Sequence, residues 1–225
     1  MDQSRGPRKP QERPRRVAVV LVHGLWMRGI SLLALKRRLE ARGMRVETFN
    51  YRSVSHPLEE NADALRAFVA SVPGETVHLV GHSLGGVLIR ALIEHGFPSR
   101  LGRIVCLGSP LAGSNRAARA IRLPGGRHVI GRSVADLLER GGFKDWAGAD
   151  AASIAGNLPL GVGLLVGRFH EPNDGMVAVR ETRLSGERDH IVLPVSHLAL
   201  VWSARVAFQV DAFLAGGRFV RELSG

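Results

Sequence analysis

From residue 17 onward, short continuous apolar runs alternate with longer stretches whose apolar residues recur every three or four positions. Residues 17–23 (VAVVLVH) read as a strand covered on both faces, the pattern of a parallel sheet. Residues 31–42 follow as a helix, with Leu32, Leu35 and Leu39 at helical spacing and Gly43 as a stop. The alternation continues with a strand at 45–51, a helix at 58–72 closed by Pro73-Gly74, a strand at 76–81, a helix at 84–95 and a strand at 103–108. Residues 111–160 break it: they hold two helix-like pieces, 115–121 and 133–140, and no strand is expected. Residues 161–169 and 191–195 then read as the fifth and sixth strands, and 197–214 as a closing helix.

Repeated strand–helix units predict right-handed crossovers and an α/β fold: a doubly wound, mostly parallel sheet of about six strands with a small helical cap insertion at 111–160. The working groups of such sheets gather beyond the carboxyl ends of the strands. Any candidate chemistry has to be sought in the loops on that rim.

Composition narrows the field. Of the residues, 45% are hydrophobic and 23% charged, a soluble globular balance, and 225 residues make one generous domain, expected over 17–225. The formal charge of +11 invites a nucleic-acid reading, but its distribution opposes one. Residues 1–16 carry six basic and two acidic side chains in a Pro/Arg-rich tail expected to be disordered. The remaining arginines are scattered, and only 5% of residues are aromatic, too few for base stacking. No nucleic-acid partner is expected. The single Cys106, inside a strand, excludes an internal disulfide and reads as an inert buried thiol. No apolar run is long enough to span a bilayer and no signal cleavage site follows the basic tail, so a cytoplasmic location is expected.

The chemistry concentrates in a few short motifs. Gly81-His82-Ser83-Leu84-Gly85 is a G-x-S-x-G sequence placed where a strand ends and a helix begins. Such a turn forces strained angles on Ser83 and lifts its hydroxyl above the sheet, with flanking glycines allowing strand and helix to approach. Serine needs a base held by an acid. His197 follows the sixth strand on the same rim, whereas His190 precedes it and is expected at the far end of the sheet. His170, ending the expected fifth strand, is the rival base. Asp174, in the turn Glu171-Pro172-Asn173-Asp174-Gly175, is the candidate acid, with Glu171 as the alternative. Donors for an oxyanion are expected at the backbone N–H of Leu84 and at Leu25, in the loop His23-Gly24-Leu25-Trp26, where Gly24 allows a sharp turn and His23 is a structural hydrogen-bonding residue.

HGLW (23–26), GHSLGG (81–86), NDGMV (173–177) and SHLAL (196–200) together resemble the α/β-hydrolase superfamily. More narrowly they are similar to bacterial triacylglycerol lipases and related carboxylesterases with a GHSLGG elbow, over roughly residues 17 to 214. The resemblance implies Ser83 as nucleophile, Asp174 as acid, His197 as base and the Leu25 and Leu84 amides as oxyanion hole, with no cofactor or metal. Neither a signal peptide nor a second aspartate near Asp174 for structural calcium is expected from the sequence, a departure from secreted lipases of this type.

The expected function is hydrolysis of a small-molecule or lipid carboxylic ester through an acyl-enzyme. Acyltransferase, thioesterase or amidase chemistry uses the same triad, and a non-catalytic binding protein is the reading from another class. Trp26, Met27 and His82 are candidate substrate-lining residues, whereas Trp202 reads as core. In the insertion, Arg116, Arg119 and Arg122 fall at i, i+3 and i+6, an exposed basic stripe that could touch an anionic lipid surface. The insertion itself is expected to form a mobile cap over the acyl pocket.

Overall fold

The structure, a computed structural model, describes residues 17–160 and 171–221. Six strands form one sheet in the order β2-β1-β3-β4-β5-β6, with every neighbouring pair parallel. They are β1 Val17–Val22, β2 Arg45–Phe49, β3 Thr76–His82, β4 Leu101–Leu107, β5 Ala151–Gly156 and β6 Asp189–Leu193. The helices are α1 Leu33–Glu40, α2 Leu58–Ser71, α3 Leu84–Glu94, α4 Asn115–Ala120, α5 Gly126–Glu139 and α6 Ala204–Gly216. Strand side chains alternate between two cores. Ala18, Val20 and Val22 of β1 join Leu65 of α2 and Leu88 and Leu92 of α3 on one face. Val19 and Leu21 join Leu35 and Leu39 of α1 and Val206 and Val210 of α6 on the other. Continuous apolar runs such as VAVVLV are what a strand buried on both faces requires.

The fifth strand is not where the sequence suggested. Ala151–Gly156 (AASIAG), placed by pattern inside the strandless insertion, lies between β4 and β6 and is buried along its whole length. With one β-branched residue in six it has little of the signature of a strand. Its small side chains answer a packing demand. A Cβ on Gly156 would stand 2.3 Å from the carbonyl oxygen of Val195 and 2.8 Å from Cβ of Asp174. The expected strand at 161–169, His170 and the tail 1–16 lie outside the described residues.

Two other boundaries move. The chain after β6 does not run straight into a helix at residue 197. Residues 196–203 form a turn containing a 3-10 segment, Ala199–Val201, and α6 begins at Ala204, capped by Ser203 Oγ accepting from Val206 N at 3.3 Å. His190 lies within β6, opposite Ser153 of β5, and its Nε2 is 2.9 Å from Thr182 Oγ1.

The second helix of the insertion also packs into the domain's helical layer. Ile130, Val134 and Leu137 of α5 enter the same core as Leu84 and Leu88. Asp136 of α5 accepts from the Leu58 N–H at 2.8 Å, capping the start of α2, where no residue of α2's own approach supplies a side-chain cap. Ser133 Oγ sits 3.0 Å from Asn61 Nδ2 and donates to the carbonyl of His56 at 2.8 Å. Among the described residues no helix is long and apolar enough to cross a membrane.

Candidate active site

The strand β3 ends at His82 and the helix α3 starts at Leu84, leaving Ser83 as the whole turn. Its backbone sits at φ 53°, ψ −122°, a left-handed conformation that a non-glycine residue holds only when its surroundings impose it. The surroundings are tight. A Cβ on Gly81 would lie 2.5 Å from Gly86 N, one on Gly85 would lie 2.2 Å from the Val22 carbonyl oxygen, and one on Gly86 would lie 2.1 Å from Ser109 Oγ. The three glycines of GHSLGG are therefore fixed by close approach. Ser83 N donates to the carbonyl of Leu107 at 2.9 Å, which pins the elbow to the end of β4.

The residue after Leu107 carries the next contact. Gly108, at φ 55°, leaves a space bordered by Asp174 and His197: a Cβ there would come 2.8 Å from Asp174 Oδ2 and 3.2 Å from His197 Nδ1. Across that space His197 Nδ1–H donates to Asp174 Oδ2 at 2.7 Å, and His197 N–H donates to the Asp174 carbonyl at 2.9 Å. Asp174 is 1% exposed, and its other oxygen, Oδ1, accepts from Met176 N at 2.9 Å and Val177 N at 2.8 Å. A buried carboxylate with both oxygens bonded to donors is aimed and held. Glu171, the alternative acid, instead pairs with the exposed Arg180 at 2.5 Å.

Ser83 and His197 are joined through a neighbour. Among the described residues the Ser83 hydroxyl has no hydrogen-bond partner. His82, next to the serine, packs its ring against that of His197 with centroids 4.8 Å apart, and its Nε2–H donates to the His197 carbonyl at 3.0 Å. His82 is only 2% exposed. Burial first, and then the His197 ring, push its pKa down to about 3, so it stays neutral. Expected as a substrate-lining residue, it is buried and supports the backbone and ring of His197.

The loop leaving β1 presses against the serine. Gly24 adopts no left-handed conformation; it is small because a Cβ would lie 3.1 Å from Ser83 Cβ and 3.2 Å from both His82 Nδ1 and Met27 Sδ. The sharp turn falls on Trp26, at φ 57°, closed by Met27 N donating to the Gly24 carbonyl at 3.3 Å. His23 is structural, as expected. It stacks on Tyr51 at 4.5 Å, and its carbonyl accepts from Tyr51 OH at 2.9 Å. Ser53 Oγ accepts from Trp26 N at 3.2 Å. The Leu25 and Leu84 amides have no hydrogen-bond partner among the described residues.

One arginine reading and one tryptophan reading change. Arg116 is 6% exposed and Nη1 donates to the Gly175 carbonyl at 2.8 Å, so the basic stripe loses its first member, while Arg119 and Arg122 stay exposed. Trp202 is 55% exposed and the core tryptophan is Trp146. Trp26, Leu158, Leu160, Leu198 and Trp202 are exposed apolar side chains on the segments following β1, β5 and β6, at the carboxyl rim. Cys106 is buried, and burial pushes its thiol well above the usual range. Among the described residues no group of three His, Cys, Asp or Glu side chains stands together to hold a metal ion.

An all-parallel sheet with a strained serine after its third strand, and an Asp–His pair on the loops before and after its last, belongs to one class of protein. Residues 19–220 match the model of the alpha/beta hydrolase family, and the chain is a member of that family. Among solved structures it is similar to the mature form of the Bacillus licheniformis lipase BlEst2, with a TM-score of 0.72 at 17% identity, covering 97% of this chain and 96% of that one. A metagenomic carboxyl esterase gives 0.63 at 19% identity over 88% of this chain and 71% of its own. A pyrethroid hydrolase from Sphingobium faniae gives 0.60 at 19% identity over 89% and 98%. At these identities the likeness is one of fold. None of the curated proteins matches the sequence significantly.

Proposed function

We propose that this chain is a serine hydrolase of carboxylic esters that works through an acyl-enzyme on Ser83. The observation that carries the reading is the 2.7 Å Asp174–His197 contact, buried on the same rim as a serine held at φ 53°. Ser83 attacks the ester carbonyl as His197 Nε2 takes the hydroxyl proton. Asp174 holds Nδ1–H in place, which leaves Nε2 as the accepting nitrogen, and stabilises the imidazolium that forms. The negative oxygen of the tetrahedral intermediate rests on the Leu25 and Leu84 amides. His197 then gives its proton to the leaving alcohol, and the same imidazole activates water to release the acid. Apart from the substrate and the hydrolytic water, every step uses groups of this chain.

The substrate reading follows from the rim. Met27 Sδ lies against Gly24 beside the serine, Trp26 is exposed in the same loop, and the exposed apolar side chains on the segments after β1, β5 and β6 suit an acyl chain or an apolar alcohol. We assign a small-molecule or lipid ester with an apolar part as the substrate class. The lipase and esterase names of the fold neighbours agree with this class. The test is a p-nitrophenyl ester series of increasing chain length. A burst of chromophore stoichiometric with protein, lost in Ser83→Ala, is expected. Thioester or amide turnover above ester turnover would move the leaving-group assignment, and binding without any burst would leave only a binding protein.

A further inference from the structure

The strongest feature outside the reacting groups is the buried guanidinium of Arg116. It comes from α4, the short helix of the insertion, and reaches into the turn that carries Asp174. Nη1 donates to the carbonyl oxygen of Gly175 at 2.8 Å. That carbonyl belongs to the peptide unit whose N–H, on Met176, donates to Asp174 Oδ1 at 2.9 Å. Asp174 Oδ2 in turn receives Nδ1–H of His197 at 2.7 Å. One line therefore runs from guanidinium to peptide group to carboxylate to imidazole. Hydrogen bonds in series polarise one another, and a cation at the head of the line strengthens the amide that holds the acid.

A second contact ties the same helix to the same turn. Glu181 is buried, and its Oε1 accepts from Asn115 N at 2.8 Å while its Oε2 accepts from Ala178 N at 3.1 Å. The backbone carbonyl of Glu181 also accepts from Ala112 N at 3.0 Å. Burial raises the pKa of Glu181, opposed by these two amides. Arg116 feels both neighbouring carboxylates, Asp174 and Glu181, as attractive charges against its own desolvation. Two oppositely charged side chains thus fasten α4 to both sides of the acid's turn. A surface helix meant only to cover a pocket has no need to bury an arginine in this way, because an unpaired buried charge is strongly disfavoured.

We infer that Arg116 is a positioning residue for the catalytic acid: it orients the Gly175–Met176 peptide that aims Asp174 at His197, so that α4 is part of the acid's mounting. The inference rests on the ester-hydrolase reading and deepens it. The Arg116–Gly175 bond reaches the imidazole only through the Met176 amide and the Asp174 carboxylate, so its removal is expected to act on the chemical step and not on ground-state binding. A shift of about 1 Å in a catalytic group is enough to lower turnover about a hundredfold.

The experiment uses the full chain and compares Arg116→Met, Arg116→Lys and Arg119→Gln. Methionine keeps an unbranched stem in the space and removes the donor; lysine keeps a charged donor; Arg119 is the exposed control on the same helix. Two readings are taken: the rate at which a fluorophosphonate probe labels Ser83, and kcat and KM on a soluble short-chain p-nitrophenyl ester. Arg116→Met is expected to slow labelling and kcat by about ten- to a hundredfold with KM within about twofold. Arg116→Lys is expected to recover most of the loss, and Arg119→Gln to match the parent. A folded Arg116→Met that labels and turns over at the parental rate overturns the inference and leaves the hydrolase reading standing. A loss shown as raised KM with kcat unchanged also overturns it. If Arg116→Met does not fold, Arg116→Gln is read by the same split, with a fall in kcat supporting the inference and no fall overturning it. A parent protein in which the probe leaves Ser83 unlabelled removes the hydrolase reading itself.

Discussion

The Nε2–H of His82 donates to the carbonyl oxygen of His197 at 3.0 Å, so the residue preceding the proposed nucleophile holds the backbone of the proposed base. Serine and imidazole are thereby set in place by one buried contact. His82→Leu removes that donor and leaves the His197 carbonyl unpaired. Expected outcomes are a loss of stability of about 1–3 kcal/mol by denaturant titration and a kcat lowered by about tenfold or more. His82→Gln, which can still donate, is expected to fall between parent and leucine variant.

Removing any of the reacting groups should disable the whole set. Ser83→Ala and His197→Ala are each expected to lower kcat by about four to six orders of magnitude, and the double variant to be scarcely worse. Asp174→Asn presents an amide to Nδ1 and favours the other imidazole tautomer, with an expected loss of about three to four orders. Glu171→Gln, which breaks only a surface pair with Arg180, is expected to stay within about threefold of the parent on the same ester.

Gly108 tests the geometry with a single methyl group. Alanine there is forced to φ 55° and its Cβ would stand 2.8 Å from Asp174 Oδ2 and 2.6 Å from Leu200 Cδ1. Gly108→Ala is expected to cost about 1–3 kcal/mol of stability and to lower kcat by about a hundredfold, because the carboxylate must move to admit it. Unchanged turnover in a folded variant would place the acid–base pair elsewhere.

A group away from the site gives a pH test. Glu187 is largely buried, and its Oε2 has no hydrogen-bond partner. Desolvation raises its pKa from 4.5 to about 7, against the opposing pull of Ser153 and Arg183. The folded chain therefore prefers the protonated acid. That preference is fully present below pH 4.5 and is lost as pH rises through 7, so this residue's contribution to stability falls across that window. Glu187→Gln is expected to raise Tm relative to the parent at pH 8 and to narrow the gap by pH 5. A gap that is constant with pH would show that Glu187 titrates normally.

The sequence carried the fold wherever burial on both faces demanded bulk. VAVVLV and TVHLVG announce β1 and β3, and the glycines of GHSLGG announce the elbow. β5 stayed hidden because its constraint was the reverse one, room for Asp174 and Val195 beside Gly156, and small residues look like loop. Ser83, Asp174 and His197 were readable as an order of residue types following strands. Their supports were not. The spacing of Arg116, Arg119 and Arg122 gives a helix face without saying that Arg116 turns inward to the Gly175 carbonyl. His82 likewise reads as a substrate-lining neighbour of the serine, with nothing in the sequence to show its hydrogen bond to His197. Contacts across tens of residues leave no period in the chain.

The angles at Ser83 also bear on descent. Holding a serine at φ 53°, ψ −122° costs about 1–3 kcal/mol, a sizeable share of the ~5–15 kcal/mol by which a domain stays folded. Glycine at this position removes that strain. In a lineage with no use for the hydroxyl, selection for folding alone would therefore favour its loss.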